Sequence, residues 1–162
     1  MTSSVRRIGL ERLQAEDALW AQIQEHEQAL SESRRPWAEA REDYIAYIRR
    51  NLTANDGFIL LAEQNGLAVG LCIAWIDADE EGLQHPKWSR CGYIQDLVVR
   101  DGYRRTGIAQ ALMKEAERTF AARSISILKI GSLANNDLAL RSYRRFGFQP
   151  FLIGLVKKIE AD

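Results

Sequence analysis

The sequence predicts a mixed α/β fold, and three observations carry the prediction. Two apolar, strand-like runs bracket Asn65-Gly66, a dipeptide whose residues both tolerate the positive φ of a tight hairpin turn. Ahead of that hairpin, two stretches repeat apolar residues at steps of three and four, the helical spacing. After it the pattern alternates strand and helix, so an antiparallel start leads into a strand–helix–strand centre.

Taken in order, Val5 to Leu10 reads as a short first strand, and Asp17 as the cap of a helix carrying Leu19, Ile23 and Leu30. Pro36 suits the first turn of a second helix, with Trp37, Ala40, Tyr44, Ile48 and Leu52 on its apolar stripe. The hairpin strands run from Phe58 to Glu63 and from Leu67 to Ile76. An acidic and then basic loop, DADEEGLQHPKWSR, leads to an apolar strand over Cys91 to Val99. A helix from Ile108 to Arg123, a strand from Ser124 to Gly131, a helix from Asn136 to Phe146 and a strand pair between Phe148 and Ile159 follow. The whole reads as a single domain over residues 1–162, with no repeat and no low-complexity segment.

The totals exclude several classes. The 22 basic and 22 acidic side chains cancel, leaving no global field for nucleic acid or a membrane surface. No run approaches the roughly 18 apolar residues of a membrane span, and MTSSVRRIGLERL lacks a signal-peptide core, so the expectation is a soluble cytoplasmic protein. Cys72 and Cys91 show no metal-like pairing with His26 or His85, and the expectation is reduced thiols and no metal. The four tryptophans read as core or pocket wall. The chain also lacks G-x-x-x-x-G-K-[ST] and G-x-G-x-x-G, which ranks phosphate-transfer and dinucleotide chemistry low.

One segment asks for more than a fold. DGYRRTGIAQAL, from Asp101 to Leu112, sits where a buried strand gives way to a helix with Ala109, Leu112, Met113, Ala116 and Phe120 on one face. The first amides of such a helix are unpaired, and with the helix dipole they form a site for a phosphate or pyrophosphate. Gly107 and Ala109 keep bulk away from those amides, and Arg104 and Arg105 add positive charge.

YIQDLVVRDGYRRTGIAQALM closely resembles motif A of the GNAT superfamily of acyl-CoA N-acyltransferases, whose signature is R/Q-x-x-G-x-G/A; Arg104, Gly107 and Ala109 match it. NDLALRSYRRFGF resembles the family's following helix, commonly N-x-x-A-x-x-x-Y-x-x-x-G-F, through Asn136, Ala139, Tyr143 and Gly147-Phe148. The resemblance implies a mostly antiparallel sheet with a central, splayed parallel strand pair and helices on both faces. It implies acetyl-CoA as cosubstrate, with the pyrophosphate on the amides of Arg104, Arg105, Thr106, Gly107, Ile108 and Ala109. The pantetheine arm would lie along Leu97, Val98 and Val99, pairing with the backbone of Leu97 and Val99, with Asn136 and Tyr143 on its other side.

Acyl transfer to an amine needs a neutral nucleophile and a proton for the leaving thiolate. The resemblance assigns the proton donor to Tyr143, and a phenol stays protonated at neutral pH. The base is open. Gln95 stands where many family members carry a glutamate, and an amide accepts no proton at neutral pH. Asp96 is adjacent, but strand alternation turns it to the opposite face unless a bulge re-aims it. It serves equally well as a structural cap or an arginine partner, and a water relay or an acid between Asp79 and Glu81 are the other candidates. The resemblance places the amine acceptor, a small molecule or a peptide, among Ser31 to Trp37, Asp77 to Gln84 and the residues near Phe151. Family members commonly dimerise through C-terminal strands, and FLIGLVKKI offers an apolar edge for a homodimer. Two functions are carried forward: an N-acetyltransferase, or a non-catalytic acyl-CoA-binding module that the glutamine at position 95 would suit.

Overall fold

The structure is a computed structural model and describes residues 4–159. Its elements are β1 (Ser4–Ile8), a 3-10 turn (Leu10–Glu16), α1 (Asp17–Leu30), α2 (Trp37–Ala54), β2 (Phe58–Gln64) and β3 (Leu67–Ala78). A short 3-10 turn (Pro86–Trp88), β4 (Arg90–Val99), α3 (Ile108–Ala121), β5 (Leu128–Ile130) and α4 (Asp137–Phe146) follow. The strands lie in the order β1-β2-β3-β4-β5, antiparallel up to β4 and parallel between β4 and β5. The hairpin forms where Asn65-Gly66 places it, with φ of 52° and 77° at the two residues.

Alternation along the strands builds two cores. Ile59 and Leu61 of β2 and Ile73 and Trp75 of β3 meet Leu19, Trp20, Ile45 and Ile48 of α1 and α2. Leu60 and Ala62 of β2 and Cys72 and Ala74 of β3 point the other way, against Leu112, Met113, Ala116 and Phe120 of α3, with Tyr143 and Phe146 of α4 packed beside them. Helices therefore cover both faces, as expected. Cys72 and Cys91 are free thiols, and both are buried.

Three expectations are corrected. Phe148 to Ile159 forms no strand. Leu152, Ile153, Leu155, Val156 and Ile159 are 80–96% exposed, and β5 presents only three residues as a template, too short an edge to organise a further pair. The parallel pair consequently lies at the edge of the described sheet and not at its centre. Asp17 is the first residue of α1 rather than its cap, because a 3-10 turn runs directly into the helix. Its carboxylate instead joins α1 to α2, accepting from Trp37 Nε1 at 3.1 Å and from Arg41 Nε.

The α3 face fits closely over β4. A Cβ on Gly92 would lie 2.6 Å from the Phe120 ring, inside van der Waals contact. Gly92→Ala is expected to destabilise the fold by about 1–3 kcal/mol through overpacking, read as a lower midpoint in denaturant unfolding.

Candidate active site

The decisive local feature is a bulge in β4. Ile73 of β3 pairs with Asp96 and Ala74 with Ile94, so Gln95 is an extra residue without a partner. Ile94 points into the α3 core, and an unbroken strand would send Asp96 the same way. The bulge turns Asp96 toward α1 and α2, onto the same face as Gln95 and Val98. Both side chains meet Tyr44 of α2. Its Oη donates to Asp96 Oδ1 and Oδ2, at 2.8 and 2.9 Å, and accepts from Gln95 Nε2 at 3.2 Å.

Asp96 is only 7% exposed. Burial pushes its carboxyl up to about 7, against the hydrogen bond from Tyr44, with Glu27 raising it further and Arg34 drawing it down. Tyr44 itself is held protonated, first by burial and then by the neighbouring carboxylate, so it remains a donor at any working pH. Sequence reasoning counted Tyr44 only as part of a helical stripe; nothing in its spacing marks it as the partner of an acid.

Asp96 and Gln95 lie in the wall of a cavity of about 590 Å³. Trp20, Ile23 and Glu27 of α1, the connection at Arg34 and Arg35, and Trp37, Tyr44 and Tyr47 of α2 form much of the remaining wall, with Tyr93 and residues 131–133 beyond β5 also lining it. Of Ser31 to Trp37, the residues Ser33, Arg34, Arg35 and Trp37 line this cavity. The acidic loop is elsewhere: Asp79 accepts from the Gln84 amide, and Asp77 pairs with Lys129 at 3.2 Å. Asp79 to Glu81 do not line the cavity, and Phe151 stacks on Trp88 at 5.3 Å between ring centres.

Beyond Ile94 the sheet opens. β5 pairs only with Gly92, Tyr93 and Ile94, leaving Gln95 to Val99 without a neighbouring strand on that side among the described residues. The Arg100 amide donates to Val69 O of β3, so by alternation the backbone groups of Val98 face β3 while those of Leu97 and Val99 face the opening. One of the expected contacts is taken. Gln22 of α1 donates from Nε2 to Val99 O and accepts from the Asp101 amide, both at 2.8 Å. Among the described residues, the Val99 amide and both backbone groups of Leu97 have no strand partner on that side.

At the end of β4 the chain turns through Tyr103, whose amide donates to Arg100 O, and enters α3 at Gly107. Arg105 and Gly107 both adopt left-handed backbone, with φ of 63° and 86°. No side chain caps α3, and its first turn carries no acid. A Cβ on Gly107 would meet no protein atom within 4 Å, so the space before the first α3 amides is open. Arg104 lies exposed at this mouth, paired with Asp101 at 2.9 Å, while Thr106 donates to Tyr103 O. Ile108 is buried and anchors the turn in the α3 core, and Ala109 is half-buried beside it. These features suit a diphosphate. Asn136 caps α4, its Oδ1 accepting from the Ala139 amide at 3.3 Å, and lies 3.4 Å from His26 Nε2. Tyr143 is half-buried with its ring edge-on to Phe148, and does not line the cavity. Burial, then the nearby Cys72 thiol and Asp96 carboxylate, raise its hydroxyl above the usual phenol range.

Two outcomes follow. Gly107→Glu is expected to abolish coenzyme A binding in calorimetry, since it adds bulk and negative charge to the open turn and disfavours its positive φ. Asp96→Asn is expected to stabilise the fold. Between the ordinary carboxylate range and about 7 the folded chain keeps a proton that the unfolded chain releases, so stability falls as pH rises through that window. The gain from the substitution should be about 1–3 kcal/mol at pH 8 and vanish near pH 4, measured by thermal unfolding at both values.

The chain is similar in fold to solved acetyltransferases. A GCN5-related N-acetyltransferase from Ralstonia eutropha JMP134 superposes with a TM-score of 0.76 at 22% identity, covering 98% of this chain and 99% of that one. The aminoglycoside N-acetyltransferase AAC(6')-Iy, solved in complex with CoA, gives 0.74 at 16% identity over 99% and 96% of the two chains. The aminoglycoside 6'-N-acetyltransferase AAC(6')-IG from Acinetobacter haemolyticus gives 0.68 at 19% identity over 97% and 99%. The family model for acetyltransferases of the GNAT family matches residues 20–148, a span that holds the bulge, the cavity residues, the α3 turn and Tyr143, and the chain belongs to that family.

Proposed function

We propose that the chain catalyses acetyl-CoA-dependent N-acetylation of a primary amine, on a small molecule or a peptide, by direct attack in a ternary complex. The observation that carries this reading is Asp96, a buried carboxylate turned by a bulge into a cavity beside the opening between β4 and β5. Acetyl-CoA, when bound, supplies the acetyl group as a thioester. The amides at the α3 turn would hold its diphosphate, with Arg104 and Arg105 adding charge, and the free backbone groups of Leu97 and Val99 would hold the arm.

In this reading an ammonium enters the cavity and gives one proton to an Asp96 oxygen, directly or through one water, leaving a neutral nitrogen. An acid held near 7 suits that exchange at neutral pH, because it is ionised in a large fraction of molecules and still basic enough to accept. Tyr44 fixes both oxygens of the carboxylate, and Gln95 fixes Tyr44. The glutamine at 95 thus supports the base, which favours the enzyme over a non-catalytic module. As the nitrogen bonds to the acetyl carbon and the C–S bond breaks, Tyr143, protonated throughout the neutral range, gives its proton to the departing sulfur. The remaining excess proton on the acylated nitrogen passes to solvent, and exchange with solvent returns Asp96 to its ionised and Tyr143 to its protonated form.

Thiol release from acetyl-CoA with a panel of amines tests the proposal. Turnover should rise with pH through about 7 as Asp96 ionises. Asp96→Asn should lower kcat by about 10²–10⁴-fold, and Tyr143→Phe should lower kcat with little loss of acetyl-CoA affinity. A full panel without thiol release, or equal loss of turnover and affinity in Tyr143→Phe, counts against these assignments.

A further inference from the structure

The chemistry of the cavity walls narrows the acceptor, given the acetyl-transfer reading above. Three aromatic rings meet at one end: Trp20, Trp37 and Tyr44 lie edge-on to one another with centres 6.0–6.2 Å apart. Tyr47 stacks on Tyr44 at 5.9 Å. Such walls favour a flat, apolar body and a cation held near a ring face.

Charge at the cavity is almost cancelled. Arg34 pairs with Glu27 at 2.8 Å and Arg35 with Asp43 at 3.0 Å, so both guanidiniums at the mouth already hold a carboxylate. Asp96 is the one carboxylate of the cavity, among the described residues, without an ion-pair partner. One ammonium finds a counter-charge there; each further ammonium would compete with an arginine for its acid or stand unpaired. A free carboxylate on the acceptor gains little from arginines already engaged.

We infer that the cavity takes a monoamine with an aromatic body, its amine at Asp96 and its ring among Trp37, Tyr44 and Tyr47. Polycationic polyamines and aminoglycosides, and simple aliphatic amines, are poor occupants.

Calorimetry with tyramine, 2-phenylethylamine, spermidine and kanamycin, with and without coenzyme A, tests the inference by binding alone. Tyramine and 2-phenylethylamine should each bind at least tenfold more tightly than spermidine or kanamycin. Spermidine or kanamycin binding as tightly as the aromatic amines overturns the inference, a comparison that needs no variant to fold. Thiol release measured in parallel separates the two readings. The predicted binding order without turnover of any amine sinks acetyl transfer and leaves the pocket chemistry standing; turnover with the opposite order does the reverse.

Discussion

One buried carboxylate organises this molecule. Holding Asp96 out of water is unfavourable for its ionised form, and only Tyr44 donates to it among the described residues. Such a group persists because the surrounding structure is over-determined: the two cores on either side of β3 and β4 lock the strands in a register that includes one residue too many. The bulge is where packing energy from the whole sheet is converted into the orientation of one side chain.

The same strand serves three purposes along its length. Its first residues pair with β5 and close the core under Phe120; its middle carries the acid; its last residues are left bare on one side and lead directly into the open turn before α3. Because β5 stops at Ile130, the opening starts just where Asp96 is turned toward the cavity. Gln22 marks the far limit of that opening, satisfying Val99 O and the Asp101 amide as a neighbouring strand would.

Much of this was legible in the sequence. Asn65-Gly66 announced the hairpin through its φ requirements, and the α3 stripe announced the amphipathic helix because burial enforces its period. The α3 turn was legible for a similar reason: a glycine at a helix mouth with no capping side chain has few structural explanations. Asp96 was legible only as one candidate among several; which way it faces was not, since a bulge is a property of two strands together and leaves no mark in one of them. Tyr44 and Gln22 were hidden likewise; each acts through a partner between 52 and 79 residues away. The C-terminal apolar run misled in the other direction, because hydrophobicity proposes a strand but only an adjacent edge makes one.

The two cysteines, finally, bear on how the molecule stands in an oxidising or alkylating medium. Cys72 and Cys91 are both fully covered, and burial raises each thiol so that little thiolate exists at neutral pH. Disulfide reagents and peroxides therefore meet an essentially inert folded chain. Any colour developed by such a reagent reports free coenzyme A, or the unfolding of the protein itself.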